Sequence, residues 1–299
     1  MRIVRAALRT VREAMRTVRA ASRAVRIPGT AVRSRSRTVR AAGRAVREAS
    51  RSVRTGAPAR WYLPPVKPLP ILFQDELLIA VDKPSGMAVH RGWSKERHVV
   101  LTVLRDRLGR HLYPVHRLDR ATSGALILAL DPGTARRLQE RFTAGEVRKR
   151  YLALVRGIPP EEGVIDSPVP RSPRGNQVPT QVPTQVPTRV PAVTRFRRLG
   201  TFERYSLVEA MPVTGRLHQI RRHLKHLSHP LIGDVRYGKG EHNRLFRERF
   251  GLHRLALHAL ELELPHPADG SPLRIFAPVP EDLAGPLRAM GLPVPSLVD

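Results

Sequence analysis

The sequence predicts an α+β fold in which helices flank a mixed, largely antiparallel sheet. Along residues 71–280, segments with the composition and alternation of strands outnumber segments with helical spacing. Several neighbouring strand segments are joined by connections too short for the crossover that a parallel pair needs, so we expect them to pair antiparallel. A hydrophobic content of 41% is sufficient for a sizeable core.

The first half of this region contains predicted strands at residues 71–73, 77–81 and 124–130, and predicted helices at residues 99–108 and 132–142. The second helix has the clearest start. Asp131 is suited to the N-cap, because its side chain can accept a hydrogen bond from a backbone N–H of the first turn. Pro132 then fits the first helical position, where no backbone N–H is needed.

The second half continues with predicted strands at residues 147–155, 192–198, 205–211, 255–264 and 273–277, and with one basic helix at residues 216–227. A Gln-Val-Pro-Thr repeat that ends at Pro191 separates the first two of these strands. Proline at every fourth position excludes both a helix and a central strand. We therefore predict that residues 170–191 form an extended loop insertion.

The N-terminal tail, residues 1–60, holds a large share of the net charge of +28. It contains 17 Arg, no Lys and two acidic residues, which gives +15 and leaves +13 for the rest. A Val-Arg pair recurs every seven residues from Val4 to Val53, which is typical of a coiled coil. Because the apolar stripe is only Val and Ala and Pro28 interrupts it, we favour a low-complexity basic arm that is disordered or becomes helical on RNA. A coiled coil, a mitochondrial-type presequence and a misassigned start codon are the alternatives.

The sequence thus predicts three parts: the tail at 1–60, a Pro-rich linker at 61–70 and a globular domain at 71–290. The excess of Lys and Arg favours phosphate-rich partners, with nucleic acid ahead of an anionic membrane surface. The absence of cysteine excludes disulfides and thiolate metal sites. Without a long apolar run or a hydrophobic signal core, we expect a soluble cytoplasmic protein.

The most informative segment is HRLDRATSG, residues 116–124. Asp119 lies between Arg117 and Arg120, just before the predicted buried strand. A carboxylate among cations should stay ionised and fixed in place, which suits a nucleophile or general base acting on a polyanion. A metal site would need partner carboxylates, which are missing nearby. A kinase loop would need an unbroken His-Arg-Asp and an Asn where Gly124 stands.

A second basic cluster is GRLHQIRRHL, residues 215–224. On a helix, His218, Arg221 and Arg222 would share one face, which predicts a basic surface directed at RNA. The four histidines at 218, 223, 226 and 229 do not form a closed set of ligands, so we expect no metal.

Two shorter segments carry less information. Residues 83–86, KPSG, have the composition of a turn. On the predicted strand at 147–155, Lys149 and Tyr151 lie on the same face. Tyr151 fits a core aromatic and a stacking platform for a base equally well.

Taken in order, these segments resemble the motifs of the RluA family of RNA pseudouridine synthases. Residues 116–124 look like the family's signature, and the other similar segments are residues 83–86, 149–151, 215–223 and 233–238. The similarity covers about residues 71 to 280. Residues 90–93 and 221–234 look most like the TruC branch of the family, which modifies the uridine at position 65 of certain tRNAs.

The resemblance implies that the protein isomerises uridine to pseudouridine without cofactor or metal. Asp119 matches the family's essential aspartate, Tyr151 the tyrosine that packs against the flipped base, and Arg221 the arginine that pairs with the aspartate. Arg117 matches the arginine that helps to displace the target nucleotide. With it, Arg120 and His218 are our candidates for RNA binding or base flipping.

The expected partner is RNA, above all tRNA, and a monomer is the default state. Two alternatives stay open. The substrate could be large-subunit ribosomal RNA, because the shared motifs handle the uridine and not its surroundings. The chain could also be a non-catalytic RNA-binding or RNA-folding factor, although the presence of Asp119, Tyr151 and Arg221 argues against this.

Overall fold

A computed structural model describes residues 69–91, 98–171 and 188–297. The predicted tail at residues 1–60, nearly all of the predicted linker at 61–70 and most of the predicted insertion at 170–191 lie outside the described residues. These three assignments therefore stay predictions. Among the helices that the structure describes, none is both long enough and apolar enough to span a lipid bilayer.

Within the described ranges the chain forms twelve strands and five helices. The strands are β1 (Ile71–Gln74), β2 (Leu78–Lys83), β3 (Tyr113–Pro114), β4 (Ser123–Ala129), β5 (Arg148–Arg156), β6 (Glu162–Asp166), β7 (Val169–Pro170), β8 (Arg189–Val190), β9 (Val193–Phe202), β10 (Tyr205–Pro212), β11 (Leu257–Pro265) and β12 (Pro272–Phe276). The helices are α1 (Val100–Leu108), α2 (Pro132–Ala144), α3 (Gln219–His226), α4 (Gly240–Phe250) and α5 (Glu281–Ala289).

One sheet dominates the part of the chain that the structure describes. Its strand order is β1-β2-β4-β11-β5-β10-β9-β6, with β12 paired to β11 and β3 paired to β4, while β7 and β8 form a separate two-stranded ribbon. Each of these pairs is antiparallel except β4 with β11, where Ser123 lies opposite His258 in parallel register. The predicted α+β class with a mixed, largely antiparallel sheet is confirmed.

Strand β4 is buried along its whole length because helices cover both faces of the sheet there. Leu126 and Leu128 pack into the cluster that includes Leu104 of α1. Ile127 points to the other side, into the cluster that includes Leu138 of α2. This two-sided burial explains why residues 124–130 are apolar without alternation. The strand therefore gives a rigid base to the loop at residues 115–122 that precedes it.

The helix start at Pro132 is confirmed, since Asp131 accepts a hydrogen bond from the backbone N–H of Thr134 at 2.8 Å. Several elements were not predicted, for physical reasons. Helix α5 contains Pro286, which normally argues against a helix interior. Helix α4 buries only His242 and Phe246, so its apolar stripe is too thin to recognise. Strand β6 exposes Val164 (62%), which reverses the expected pattern.

Gly124 allows β4 and β11 to approach each other at the end of the signature segment. Its φ of 113° lies where L-residues are rarely found. A Cβ at this position would lie 2.1 Å from the carbonyl oxygen of Ala259 in the neighbouring strand. Both the backbone angle and the contact with β11 therefore require glycine.

We expect Gly124→Ala to destabilise the fold by at least about 3 kcal/mol, because neither the backbone of β4 nor that of β11 can move without breaking the parallel pair. Urea unfolding followed by circular dichroism measures this change. Gly109→Ala is the matched control. Gly109 has a φ of 65° with nothing within 4 Å of the added Cβ, so it should cost only about 1 kcal/mol. Equal losses in the two variants would contradict the role of close strand approach.

Candidate active site

The loop that carries Asp119 is held from below by the turn at residues 83–86. The ammonium of Lys83, which is fully buried, donates hydrogen bonds to the carbonyl oxygens of Pro84 (2.9 Å), Met87 (2.8 Å) and Arg120 (3.2 Å). The backbone N–H of Gly86 donates to the same Arg120 carbonyl at 2.8 Å. Burial, with the positive charge of Arg254, lowers the pKa of Lys83 to about 7. The turn therefore supports the Asp119 loop.

Arg221 connects Asp119 to a second, deeper carboxylate. Its Nη1 donates to Oδ2 of Asp119 at 3.0 Å. Its Nε and Nη2 donate to the two carboxylate oxygens of Asp234 at 2.7 and 2.9 Å. The guanidinium thus uses one edge for a bidentate pair with Asp234 and presents its remaining nitrogen to Asp119. Within the described residues, Oδ1 of Asp119 has no hydrogen-bond donor.

Asp234 is fixed by its own loop as well as by Arg221. Its Oδ1 accepts the backbone N–H of Arg236 (2.9 Å) and of Tyr237 (3.0 Å). Burial opposes its ionisation, but the hydrogen bond from Arg221 and those two amides outweigh this and hold the pKa of Asp234 below its ordinary value. Asp234 is therefore a fixed negative charge that orients Arg221.

Tyr151 lies at the centre of the sheet, on β5 between β10 and β11, where Ala210 and Ala259 are its register partners. Because both partners are alanines, their side chains occupy little space beside the Tyr151 ring. The adjacent Arg150, which points to the opposite face, ties β5 to both neighbouring strands. It donates to Glu209 at 2.7 Å and to Glu261 at 3.2 Å, and both acids are almost completely buried. Tyr151 is therefore carried by a rigid strand.

The environment of Tyr151 keeps its phenol neutral. Burial raises its pKa well above the ordinary value, and the negative charge of Asp119 raises it further. The neutral phenol offers an aromatic face and a hydroxyl hydrogen, but it is a weak base in the resting protein.

Five of the six predicted site residues line one cavity of about 710 Å³. Asp119, Tyr151, His218 and Arg221 line it, and Arg117, an exposed side chain, lies at its edge. Lys149 also lines the cavity, half-buried, and has no carboxylate partner within the described residues. Among the described residues neither Arg117 nor Lys149 has a carboxylate partner, so the cavity is suited to an anionic ligand.

Arg120 is placed differently from the other candidates. It does not line the cavity, and its Nε donates to the carbonyl of Gly86 at 2.8 Å. Its side chain is exposed and joins the Asp119 loop to the supporting turn. The geometry therefore gives Arg120 a part in holding the loop.

His116, the first residue of the signature segment, is uncharged at neutral pH. Its Nε2 accepts the backbone N–H of Ile127 at 2.9 Å, and its ring stacks on Phe142. Burial, with the charge of Lys149, lowers its pKa to about 3. It is thus a structural residue in the lining of the cavity.

The basic segment at 215–224 is more buried than its composition suggested. The helix begins at Gln219, and His218 precedes it with a left-handed φ of 53°, so the predicted start at residue 216 was wrong. Arg221 and His223 are buried, and His223 bonds Thr194 and the carbonyl of Ser167. Within the described residues, no three His, Asp or Glu side chains cluster as metal ligands do.

Sequence reasoning did not assign roles to Asp234, Tyr237 or Lys83. Asp234 is 13 residues from Arg221 along the chain, and nothing local links the two. Tyr237 contacts His218 through its ring and its hydroxyl. The sequence does contain a motif here, because Gly233, Asp234 and Tyr237 follow a basic helix. The motif alone does not indicate what these residues contact.

Comparison with known proteins gives consistent matches. A family model described as RNA pseudouridylate synthase matches residues 77–226. The chain is 43% identical over 236 residues to the tRNA pseudouridine synthase C of Vibrio cholerae, covering 75% of this chain and 96% of that one. It is 44% identical over 222 residues to the protein of that name from Pectobacterium carotovorum, covering 70% of this chain and 58% of that one.

Solved structures match over similar lengths. Human RNA Pseudouridylate Synthase Domain Containing 4 superposes with a TM-score of 0.62 at 30% identity, covering 76% of this chain and 95% of that one. Human RNA Pseudouridylate Synthase Domain Containing 1 gives a TM-score of 0.57 at 26% identity, covering 72% of this chain and 86% of that one.

Proposed function

Because the chain belongs to the RNA pseudouridylate synthase family, isomerases that convert uridine in RNA to pseudouridine, we propose that its substrate is a transfer RNA. Relatives at 42–44% identity carry the name tRNA pseudouridine synthase C, and the chain spans 96% of the Vibrio cholerae protein. The resemblance to the TruC branch points to the uridine at position 65. We also propose that the enzyme works in the cytoplasm, where transfer RNA is available.

The choice of tRNA rests on these relatives, whereas the geometry around Asp119 supports the isomerase chemistry. Its carboxylate faces a cavity large enough for a flipped nucleotide, with Arg221 on one oxygen and the other oxygen without a donor in the described residues. In the reaction the bond between N1 of uracil and C1′ of ribose breaks, the uracil turns, and C5 bonds to C1′. The C5 proton leaves and N1 gains a proton, so the product is an isomer.

We assign Asp119 as the catalytic residue. Its carboxylate has two routes open to it, attack on the ribose or removal of a ribose proton, and both use the oxygen that faces the cavity. Arg221 and Asp234 keep that oxygen directed at the substrate. A charge held in this way needs no reorganisation when the glycosidic bond breaks.

We assign Tyr151 to packing against the flipped uracil. A base taken out of the helix needs a surface to hold its face, and an aromatic ring on a rigid strand provides one. Because burial and Asp119 raise its pKa, the phenol is protonated in the resting enzyme and can donate a hydrogen bond to the uracil.

We assign Arg117 to the gap that the flipped uridine leaves. It is exposed at the edge of the cavity, two residues before Asp119, so it can reach the RNA while the uridine enters. Lys149, inside the cavity, adds a second positive charge for the phosphate-rich substrate.

Mapping of pseudouridine in total RNA, with and without the gene, tests this function. We expect one uridine in a tRNA to lose the modification in the deletion strain. Re-expression of the wild-type chain should restore it, and re-expression of Asp119→Asn should not. Loss of a site in large-subunit ribosomal RNA alone would overturn the tRNA assignment. If no site is lost, the chain is not the enzyme proposed.

A further inference from the structure

Behind the catalytic carboxylate lies a chain of polar contacts that the proposed roles do not use. The hydroxyl of Tyr237 lies 3.0 Å from Nδ1 of His218 and accepts a hydrogen bond from Nε of Arg222 at 3.1 Å. The other ring nitrogen of His218, Nε2, lies 3.7 Å from Oδ2 of Asp119. Arg222, Tyr237, His218 and Asp119 thus follow one another in space.

The direction of these contacts follows from what each group can donate. A guanidinium has no acceptor, so Arg222 must donate to the Tyr237 oxygen. The single hydrogen of Tyr237 is then free to point at Nδ1 of His218. The phenolic oxygen could instead accept from a protonated Nδ1, but that tautomer would direct the lone pair of Nε2 at the Asp119 carboxylate, so we assign Nδ1 as the acceptor. In the neutral ring the remaining hydrogen is on Nε2, the nitrogen that faces Asp119.

The surroundings of His218 favour the neutral ring. Burial lowers its pKa, and the positive charges of Arg221, Arg222 and Arg236 lower it further, while Asp119 acts in the opposite direction. These charges and the Tyr237 hydroxyl face the imidazole from the Asp119 loop, helix α3 and the loop after Asp234.

The backbone conformation of His218 is unusual for a residue that has a side chain. With φ at 53° and ψ at 29°, it adopts a left-handed conformation that costs a residue with a Cβ some stability. The ring of Tyr237 packs edge-on against the imidazole at 5.6 Å, and the guanidinium of Arg221 lies 5.1 Å from that ring's centre. Tyr237 therefore contacts both groups that approach Oδ2 of Asp119.

We propose that Tyr237 is a positioning residue that holds His218 in its Nε2-protonated tautomer, so that His218 and Arg221 both direct hydrogens at Oδ2 of Asp119. Two donors on one oxygen fix the rotation of the carboxylate and leave Oδ1 for the substrate. The 3.7 Å separation is too long for a hydrogen bond in the free protein, and such contacts commonly shorten once substrate is bound. This role rests on the proposed function of Asp119.

The tautomer is measurable without any substrate. A long-range ¹H–¹⁵N correlation spectrum of the ¹⁵N-labelled full chain distinguishes a protonated ring nitrogen from an unprotonated one. His218→Gln identifies the His218 signals. At neutral pH we expect protonated Nε2 and unprotonated Nδ1. A doubly protonated ring, or a proton on Nδ1, would overturn the proposal whatever the enzyme's substrate is.

Tyr237→Phe removes the hydroxyl and keeps the ring. We expect a mixture of His218 tautomers, a rise in the pKa of His218, and a fall in kcat on the order of tenfold with little change in KM. The acidic limb of the pH–rate profile should move to higher pH, because protonation of His218 adds a positive charge beside Asp119 and makes its carboxylate less basic.

Tyr205→Phe is the matched control, because Tyr205 makes the same kind of bond to Nδ1 of His242, at 2.9 Å, away from the cavity. It should leave the His218 spectrum and kcat unchanged. An unchanged kcat in folded Tyr237→Phe would refute the positioning role. Absence of turnover in the wild-type chain, together with the expected His218 tautomer, would count against the proposed function alone.

Discussion

Replacement of Asp119 by asparagine should lower kcat for pseudouridine formation by at least about 1,000-fold and leave RNA binding nearly unchanged. Asparagine has the same shape and can still accept a hydrogen bond from Arg221, so the loop should keep its conformation. What it lacks is the charge and basicity that either attack on the ribose or proton removal requires. Single-turnover assays measure the rate, and equilibrium binding of the same RNA measures affinity.

The control for this substitution is Asp106→Asn. Asp106 is an exposed aspartate on helix α1 that pairs only with its neighbour Arg105 among the described residues. Its replacement changes the net charge by the same amount at a residue outside the cavity lining, and should alter neither rate nor affinity. Retained turnover in a purified Asp119→Asn protein would show that another group performs the chemistry.

The sequence alone predicted those strands and helices whose burial or capping produces a pattern among neighbouring residues. Strand β4 is buried on both faces and is therefore continuously apolar, and Asp131 with Pro132 forms a local helix start. Helix α5 was missed because Pro286 contradicts the rule by which helices are recognised. A local pattern thus predicts a local structure, and it fails where tertiary packing overrides the propensity of one residue.

For the site, the sequence predicted the main residues but not the contacts between them. The resemblance in the ordered motifs placed Asp119, Tyr151 and Arg221 together, and all three line the cavity. It could not show that Arg221 also binds Asp234, or that Tyr237 directs His218. Those contacts depend on how the loop after α3 folds back over the helix, which no periodicity in the sequence records. For the same reason, the basic segment at 215–224 was predicted to face RNA. The sequence does not show that Arg221 is buried between Asp119 and Asp234.

Asp234→Asn should destabilise the protein by about 3–5 kcal/mol and also lower activity, on the order of tenfold or more. The side chain of Asp234 is fully buried, and the asparagine amide would place N–H donors against the donors of Arg221. Arg221 would then keep Asp119 as its only carboxylate among the described residues, without a fixed orientation. Urea unfolding at neutral pH measures the loss. Asp269→Asn, an exposed aspartate bonded to Ser271, should change stability by less than about 0.5 kcal/mol.

The pH dependence identifies the charge as the cause. The pKa of Asp234 is lowered in the folded protein, so its contribution is complete above the ordinary value of 3.8 and is lost as pH falls through the folded value. The stability difference between wild type and Asp234→Asn should therefore be constant from neutral pH to about pH 5 and shrink below about pH 4. An undiminished difference in acid would mean that the asparagine acts by disturbing packing, and that the buried ion pair is not what orients Arg221.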